Sequence, residues 1–210
     1  MDYPGDDLLT TDGLAATGRG RLLVLACGAL AREILALIRM NGWTHVDLHC
    51  LPAILHNYPD RIAGAVEESV TARRGGYEKV FVAYADCGTG GDLQKTCDRL
   101  GVEMIRGPHC YAFFEGVDAF AARGEVFSFY LTDFLVRQFD TFIWRGLKMD
   151  RHPELRDMYF GHYTTLVYLA QTEDPALTRQ AEAAAEKLGL AFERRHTGFG
   201  ELASALEAAV

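Results

Sequence analysis

One stretch of the chain constrains its fold class more than any other, because an apolar strand, a glycine-rich turn and a helix follow one another directly. Residues 79–84 are mostly apolar, residues 85–91 read Ala-Asp-Cys-Gly-Thr-Gly-Gly, and residues 92–100 have helical spacing that ends at Gly101. This order is typical of a buried strand whose following turn lies at the carboxyl edge of a sheet, where open α/β folds bind ligands.

The same order of elements recurs along the chain. Apolar runs typical of strands alternate with helical patterns, the strands at 21–26, 46–49, 79–84 and 102–105 and the helices at 29–40, 61–74 and 92–100. Short connections between them predict a parallel sheet covered on both faces, with right-handed crossovers. We therefore predict an α/β fold with a doubly wound, mostly parallel sheet. A flavodoxin-like order, 2-1-3-4, would make strands one, three and four neighbours.

Two segments interrupt this rhythm. Residues 1–20 are polar and glycine-rich, which predicts a flexible N-terminal arm. Residues from about 111 to 162 are strongly aromatic and predict a helical insertion, which would serve as core, as a cap over the sheet edge or as a dimer surface. Strand and helix patterns then return, at 164–170, 175–188, 191–195 and 201–209. We therefore predict that the sheet resumes after the insertion and that 21–210 is a single α/β domain.

Charge and composition exclude some classes of partner. The net charge of −8 over 210 residues argues against a non-specific nucleic-acid surface, which needs basic patches. No apolar run reaches the roughly 18 residues of a membrane span. The N-terminal residues are acidic and lack the basic-then-apolar order of a signal peptide. We therefore predict a cytoplasmic protein, with no membrane or nucleic-acid partner, whose thiols stay reduced.

Cysteine positions carry the main functional signal. Cys27, Cys87 and Cys110 each lie in a strand-to-helix turn, so the fold would bring three thiols to one sheet edge. Thiolates are ligands for zinc and for iron–sulfur clusters, and the pattern predicts a metal site of one of these kinds. The alternative is that the cysteines are small buried apolar residues. That role is predicted for Cys97, inside a helix, whereas Cys50 is either a fourth ligand or part of the core.

Other candidate residues surround these turns. His109 and His56 would bind the metal or carry protons near neutral pH. Asp86 would act as a base or hydrogen-bond a ligand, although aspartates at strand ends also cap turns. The backbone N–H groups of Gly88, Thr89, Gly90 and Gly91 would hold a phosphate or carboxylate of a cofactor; alternatively these glycines only permit a tight turn.

Five short segments together resemble the domain of unknown function family 1638. They are Cys27-Gly-Ala, Leu48-His-Cys-Leu-Pro, Leu55-His-Asn-Tyr-Pro, Tyr84-Ala-Asp-Cys-Gly-Thr-Gly-Gly and Pro108-His-Cys, and the resemblance extends from about residue 21 to 205. The family's Tyr-Gly-x-Cys-x-(Asn/Gly)-Gly turn corresponds to residues 84–91. The family's His-Asp-Cys element differs in this chain, because His109 and Cys110 are adjacent and no aspartate separates them. A role of that aspartate is therefore not assigned to this chain. The resemblance implies corrinoid-dependent methyl transfer and one-carbon metabolism.

Three functions remain open from the sequence. The first is a metal-thiolate protein, with zinc held by Cys27, Cys87, Cys110 and His56, that acts in or supports methyl transfer as a methyltransferase or its accessory factor. The second is an enzyme with a [4Fe-4S] cluster held by the three cysteines. The third is a non-enzymatic accessory protein that binds a corrinoid protein or a methyltransferase. The chain would act alone or as a homo-oligomer.

Overall fold

The computed structural model describes residues 3–210 and has the α/β architecture that the sequence predicts. All strand pairings within its sheets are parallel. The strands are β1 (Leu22–Cys27), β2 (Val46–Leu51), β3 (Lys79–Ala83), β4 (Glu103–Met104), β5 (Ser128–Thr132), β6 (Thr165–Ala170) and β7 (Ala191–His196). Within the described residues, no helix combines the length and apolar character that crossing a membrane requires.

Ten α-helices connect and flank these strands in the described residues. They are α1 (Asp6–Thr11), α2 (Ala31–Met40), α3 (Pro59–Arg73), α4 (Asp92–Leu100), α5 (Ala112–Glu115), α6 (Val117–Arg123), α7 (Asp133–Arg137), α8 (Leu155–Phe160), α9 (Pro175–Leu188) and α10 (Gly200–Ala209). Short 3-10 turns occupy Gly28–Leu30, Ala53–Asn57 and Arg74–Gly76, and a π-helical turn occupies Asp140–Trp144. The chain forms two compact units, one of residues up to 113 with 201–210 and one of residues 114–200.

The first unit contains a four-stranded sheet in the order β2-β1-β3-β4, which confirms the predicted 2-1-3-4 order. Every residue of β1 and β2 is buried, as expected for parallel strands covered on both faces. Leu25 of β1 pairs in register with His49 of β2 and Val82 of β3. The carboxyl ends of β1, β3 and β4 are therefore neighbours at one edge, where the cysteine turns begin.

The second unit contains a separate sheet in the order β5-β6-β7. The expectation that one sheet resumes after an all-helical insertion is wrong, because β5 lies inside 111–162 and pairs with β6. Phe129 and Tyr130 are aromatic residues that favour a pleated strand over a helix. The stretch is otherwise helical and packs its aromatic rings together, with the Phe129 and Phe160 centroids 5.0 Å apart. The prediction of a single domain over 21–210 stays a prediction.

The N-terminal segment differs from the predicted flexible arm, of which residues 1 and 2 lie outside the described part of the chain. It forms α1, whose Leu9 is fully buried. The Arg32 guanidinium on α2 donates to the Asp6 carboxylate over 2.9 Å. Farther on, the backbone groups of Leu14 and Cys50 exchange two hydrogen bonds of 2.8 and 2.9 Å. This segment therefore packs at the carboxyl ends of β1 and β2, through long-range contacts that its polar composition does not reveal.

Replacing Gly28 with alanine should loosen this N-terminal packing. A Cβ at Gly28 would lie 2.2 Å from the Leu9 carbonyl oxygen, so the backbone of α1 or of the turn must move. We expect a loss of about 1–3 kcal/mol in the free energy of unfolding, measured by urea denaturation. Gly64→Ala is the matched control, because Gly64 is exposed in α3 and has open space around it. It should stabilise the protein by about 0.5–1 kcal/mol; equal effects of the two substitutions would contradict this packing.

Candidate functional site

The turns after β3 and β4 are joined to each other by backbone hydrogen bonds. The Asp86 N–H donates to the Gly107 carbonyl and the Cys87 N–H donates to the Pro108 carbonyl, each over 2.9 Å. These bonds continue the pairing of β3 and β4 beyond the strands themselves. They fix the position of Cys87 relative to the segment that carries His109 and Cys110.

The turn that holds Cys87 has an unusual backbone, which explains its glycines. The φ angles of Gly88, Gly90 and Gly91 are 86°, 63° and 86°, in the left-handed region that favours glycine. Cys87 itself has a φ of 48°, a conformation that non-glycine residues adopt rarely and that clusters at functional sites. A Cβ at Gly88 would meet the Pro59 side chain at 3.4 Å, so the start of α3 lies against this turn.

Asp86 organises the same turn through its side chain. Its carboxylate accepts hydrogen bonds from the Thr89 hydroxyl over 2.7 Å and from the N–H groups of Gly91 and Gly90 over 2.7 and 3.2 Å. Burial opposes ionisation, but these donors hold the pKa of Asp86 below its usual value. Two of the N–H groups predicted to bind an anion are therefore already occupied. Catalysis by Asp86 and cofactor binding by Gly88, Thr89, Gly90 and Gly91 stay predictions.

Cys87 and Cys110 form a contacting pair of thiols. Their Sγ atoms are 3.3 Å apart. The hydrogen bond from Cys110 outweighs the effect of burial and, with the interaction of His56, lowers the pKa of Cys87 to about 5. The same hydrogen bond, followed by burial, raises the pKa of Cys110 well above its usual value. These opposite shifts favour an arrangement in which the Cys87 thiolate accepts a hydrogen bond from the Cys110 S–H group.

Two histidines lie beside the thiol pair, as the sequence predicts. His56, in the turn Ala53–Asn57, is exposed and interacts with Cys87 through hydrogen bonding and charge. His109 is half-buried and stacks on Tyr111, with ring centroids 5.0 Å apart. Burial, together with a smaller effect of His56, lowers the pKa of His109, and the neighbouring Cys87 and Asp86 only partly offset this. A neutral imidazole at His109 is able to accept a proton or bind a metal ion.

Cys27 and Tyr84 lie at the buried side of the site. Both are almost completely buried, and burial raises the pKa of Cys27 to about 12. Burial, and then the charges of Cys27 and Cys110, also raise the pKa of Tyr84. Apart from the Cys27 thiol, no group among the described residues offers the Tyr84 hydroxyl a hydrogen bond. Tyr84 was not predicted as a site residue, although a tyrosine that ends a buried strand beside a cysteine turn was the available signal.

The two remaining cysteines are parts of the core. Cys97 is fully buried in α4, as predicted. Cys50 lies within β2 rather than in the turn after it, and burial raises its pKa well above the usual value. Its backbone pairs with Leu14, and the strand register places it beside Ala26. This position favours the core role among the two that the sequence left open.

The structure therefore brings the predicted ligands together to different degrees. Cys87 and Cys110 are in contact, and Cys27 and His56 are near enough to affect the charge of Cys87 or to be affected by it. Among residues 3–210, no group of three or more His, Cys, Asp or Glu side chains is already arranged to hold a metal ion. The arrangement brings together two contacting thiols, of which Cys87 has a lowered pKa, and the His109 imidazole, whose pKa is also lowered.

Comparison with known proteins gives one match. Residues 50–206, more than half of the chain, match the model of a family described as "Protein of unknown function (DUF1638)". No curated protein and no solved structure matches the chain. The matched range includes Cys87, Cys110 and both histidines of the site, but begins after Cys27. The family that the five sequence segments resemble is thereby confirmed, and the chain belongs to DUF1638.

Proposed function

We propose that the protein is a metal-thiolate protein that binds zinc at the Cys87–Cys110 pair and serves methyl transfer in one-carbon metabolism. The observation that carries the proposal is the contact between the two thiols, whose Sγ atoms are 3.3 Å apart. Two zinc-bound thiolates in tetrahedral geometry, with Zn–S bonds of about 2.3 Å, have sulfurs about 3.8 Å apart. The pair needs only a small separation to hold one ion.

Protonation states at the site also support metal binding. A thiol must lose its proton to bind zinc, and the lowered pKa of Cys87 supplies one thiolate at neutral pH. The pKa shifts favour a hydrogen bond that the Cys110 S–H group donates to Cys87, so zinc would take the place of that proton between the two sulfurs. We therefore expect zinc binding to release a proton from Cys110 and to tighten as pH rises.

The third and fourth ligands in this proposal are Cys27 and His56. His56 already interacts with Cys87 from the exposed side of the site. Cys27 approaches from the buried side, and its raised pKa means that it must be deprotonated by the ion itself. The Tyr84 hydroxyl beside Cys27 would then donate to the resulting thiolate. Completing the site requires movement of these side chains, because no three ligand groups within the described part of the chain are in place beforehand.

The sulfur contact favours a single ion over an iron–sulfur cluster. In a [4Fe-4S] cluster each cysteine binds a different iron, so the cluster holds its ligand sulfurs apart. Cys87 and Cys110 are instead in direct contact. A cluster would need a larger rearrangement of two turns whose backbones are hydrogen-bonded to each other.

Zinc bound by thiolates would suit methyl transfer. A metal-bound thiol is held deprotonated and stays nucleophilic at neutral pH, so a thiol substrate that takes the place of His56 as the fourth ligand becomes a methyl acceptor. We propose that the protein acts in the cytoplasm, as a methyltransferase or as an accessory factor of a corrinoid protein or methyltransferase. The methyl-transfer role is what the sequence resemblance implies, and the thiol pair supplies the chemistry that it needs.

Metal analysis of protein purified without oxygen tests the proposal. We expect about one zinc per chain and no colour for the natural sequence, because one tetrahedral site holds one ion. Cys87→Ser should lose the zinc, whereas Cys97→Ser, which changes a core cysteine of α4, should retain it. Iron and sulfide in the purified protein, with broad visible absorption, would show that the site holds an iron–sulfur cluster and not zinc. No metal in the natural protein, or equal zinc in both variants, would overturn the proposal.

A further inference from the structure

The Cys87 and Cys110 turns hold two thiols in a fixed relation before any ligand arrives. Backbone hydrogen bonds join Asp86 to Gly107 and Cys87 to Pro108, and the Ile105 N–H donates to the Val82 carbonyl just before them. The two cysteines therefore lie on a backbone ladder that continues β3 and β4. A covalent bond between the two cysteines could therefore form without bringing together two separate segments of the chain.

The distance between the thiols is short for cysteines that are not bonded. The Sγ atoms are 3.3 Å apart, and a disulfide bond is about 2.0 Å long, so about 1.3 Å of approach separates the two states. Both cysteines lie in turns that follow strands, and rotation about the side-chain bonds of one of them covers such a distance. Cys87 has a left-handed backbone conformation, with a φ of 48°, and this conformation sets the direction in which its side chain leaves the turn.

We infer that Cys87 and Cys110 form a reversible disulfide by exchange with small-molecule disulfides. One of the two thiols, as its thiolate, attacks a sulfur of the small disulfide, forms a mixed disulfide and releases one small thiol. The other cysteine then attacks the protein sulfur of that mixed disulfide and releases the second small thiol. The two cysteines lose two protons and two electrons, and the small disulfide gains both.

Exposure and position favour this pair over the other cysteines. Cys110 is partly exposed, so a small disulfide can reach the pair from solvent. Cys97 is fully buried in α4, and Cys50 is buried within β2. Cys27 is buried at the end of β1. Oxidation should therefore protect two of the five cysteines from alkylation and leave the rest free.

This disulfide stands on the thiol geometry alone and does not depend on the zinc proposal. If zinc also binds there, oxidation would remove two of its ligands, and the dithiol and disulfide forms would be the metal-binding and metal-free states of one site. A protein with two reduced cysteines in contact would respond to the ratio of thiols to disulfides in its surroundings.

The test uses the full chain after removal of metal by a chelator. The protein is equilibrated with mixtures of reduced and oxidised glutathione, quenched with acid, alkylated and digested for mass spectrometry. We expect the oxidising mixtures to protect two cysteines, to yield a Cys87–Cys110 linked peptide two hydrogens lighter than the reduced pair, and to be reversed by reduced glutathione. Circular dichroism should stay native throughout.

Single substitutions make the result decisive. Cys97→Ser should form the same linked peptide, whereas Cys87→Ser and Cys110→Ser should form none and should at most carry one glutathione. All five thiols remaining free in the natural protein, or a link between Cys87 and Cys27 in place of Cys110, would overturn the inference. Zinc binding without the disulfide rejects this inference alone, and the disulfide without zinc binding rejects the zinc proposal alone.

Discussion

Replacing Asp133 with alanine should destabilise the second unit by about 3–5 kcal/mol, since each buried donor that loses its partner costs about 1–3 kcal/mol. Asp133 begins α7 directly after β5 and is almost completely buried. Its carboxylate accepts hydrogen bonds from the Tyr168 hydroxyl over 2.7 Å, the Gln171 N–H over 3.0 Å and the Thr172 hydroxyl over 2.6 Å. Alanine would leave all three donors without this partner.

The surrounding contacts explain why the loss should not be repaired locally. The Gln171 side chain accepts from the Asp133 N–H over 2.7 Å and donates to the Leu169 carbonyl over 2.6 Å, so it is already engaged. Tyr168 is fully buried, and burial together with its bond to Asp133 raises its pKa well above the usual value. The network joins the carboxyl ends of β5 and β6 to the start of α7.

Urea denaturation followed by Trp144 fluorescence measures this effect, with Trp43 changed to phenylalanine so that the signal comes from the second unit. Asp140→Ala is the matched control, because Asp140 is exposed in the same unit and loses only a surface ion pair with Arg145. That change should cost at most about 1 kcal/mol. If Asp133→Ala does not fold, Asp133→Asn takes its place, because asparagine keeps the shape and one acceptor. The free energy of unfolding of Asp133→Asn should lie below that of the Asp140→Ala control. Equal midpoints for Asp133→Asn and the control would contradict the role of this network.

Asp133 also illustrates which features the sequence could not reveal. A strand pattern over residues 164–170 is legible because its apolar residues are consecutive. The pairing of that strand with β5 is a tertiary fact, and β5 has only five residues within an aromatic stretch that otherwise forms helices. The hydrogen bonds that Asp133 accepts come from residues more than thirty positions away. No local pattern encodes a partner at that distance.

The convergence of the cysteine turns could be predicted because it follows from strand order. Alternating strands and helices imply a parallel sheet, and the order β2-β1-β3-β4 places the ends of β1, β3 and β4 side by side. The sequence could not distinguish how close the thiols come. Contact between Cys87 and Cys110, with Cys27 buried beside Tyr84, depends on the turn backbone and on the bonds from Asp86 and Cys87 to residues 107 and 108.

The N-terminal helix and Asp86 show which contacts a sequence reveals: long-range contacts stay hidden, whereas local ones can be recognised. The polar composition of residues 1–20 gives no sign that Leu9 packs against the turn at Gly28. The Asp86 carboxylate, by contrast, accepts local hydrogen bonds, from Thr89, Gly90 and Gly91. Local bonding of an aspartate at a strand end was one of its two predicted roles, and the spacing of these residues is sufficient to recognise it.

The Cys87 thiolate should be visible at neutral pH and should disappear as pH falls through about 5. The Cys110 hydrogen bond and the interaction of His56 lower the pKa of Cys87 from an ordinary value near 9 to about 5, which is a change of about four orders of magnitude in proton affinity. The ultraviolet absorbance of thiolates, recorded against pH on metal-free protein under reducing conditions, should therefore contain one cysteine that titrates near 5. Cys87→Ser should remove that component.

A pair of substitutions at Cys110 identifies the cause of this shift. Cys110→Ala removes the donor and should raise the midpoint of Cys87 toward the ordinary range, whereas Cys110→Ser keeps a donor and should leave the midpoint low. Cys97→Ala, in the core of α4, should change nothing in this titration. A midpoint of Cys87 that is the same in the alanine and serine variants would show that the thiol contact does not control its charge.

The same shift links the site to stability in a defined pH range. Because the pKa of Cys87 is lower in the folded protein than in the unfolded chain, its stabilising contribution is complete above the unfolded value, near 9, and is lost as pH falls through about 5. The unfolding free energy of the natural protein should therefore rise more steeply between these limits than that of Cys110→Ala, with carboxylates contributing equally to both. Parallel curves for the two proteins would mean that the Cys110 contact does not lower the pKa of Cys87, and would remove the support that this contact gives to a thiolate at neutral pH.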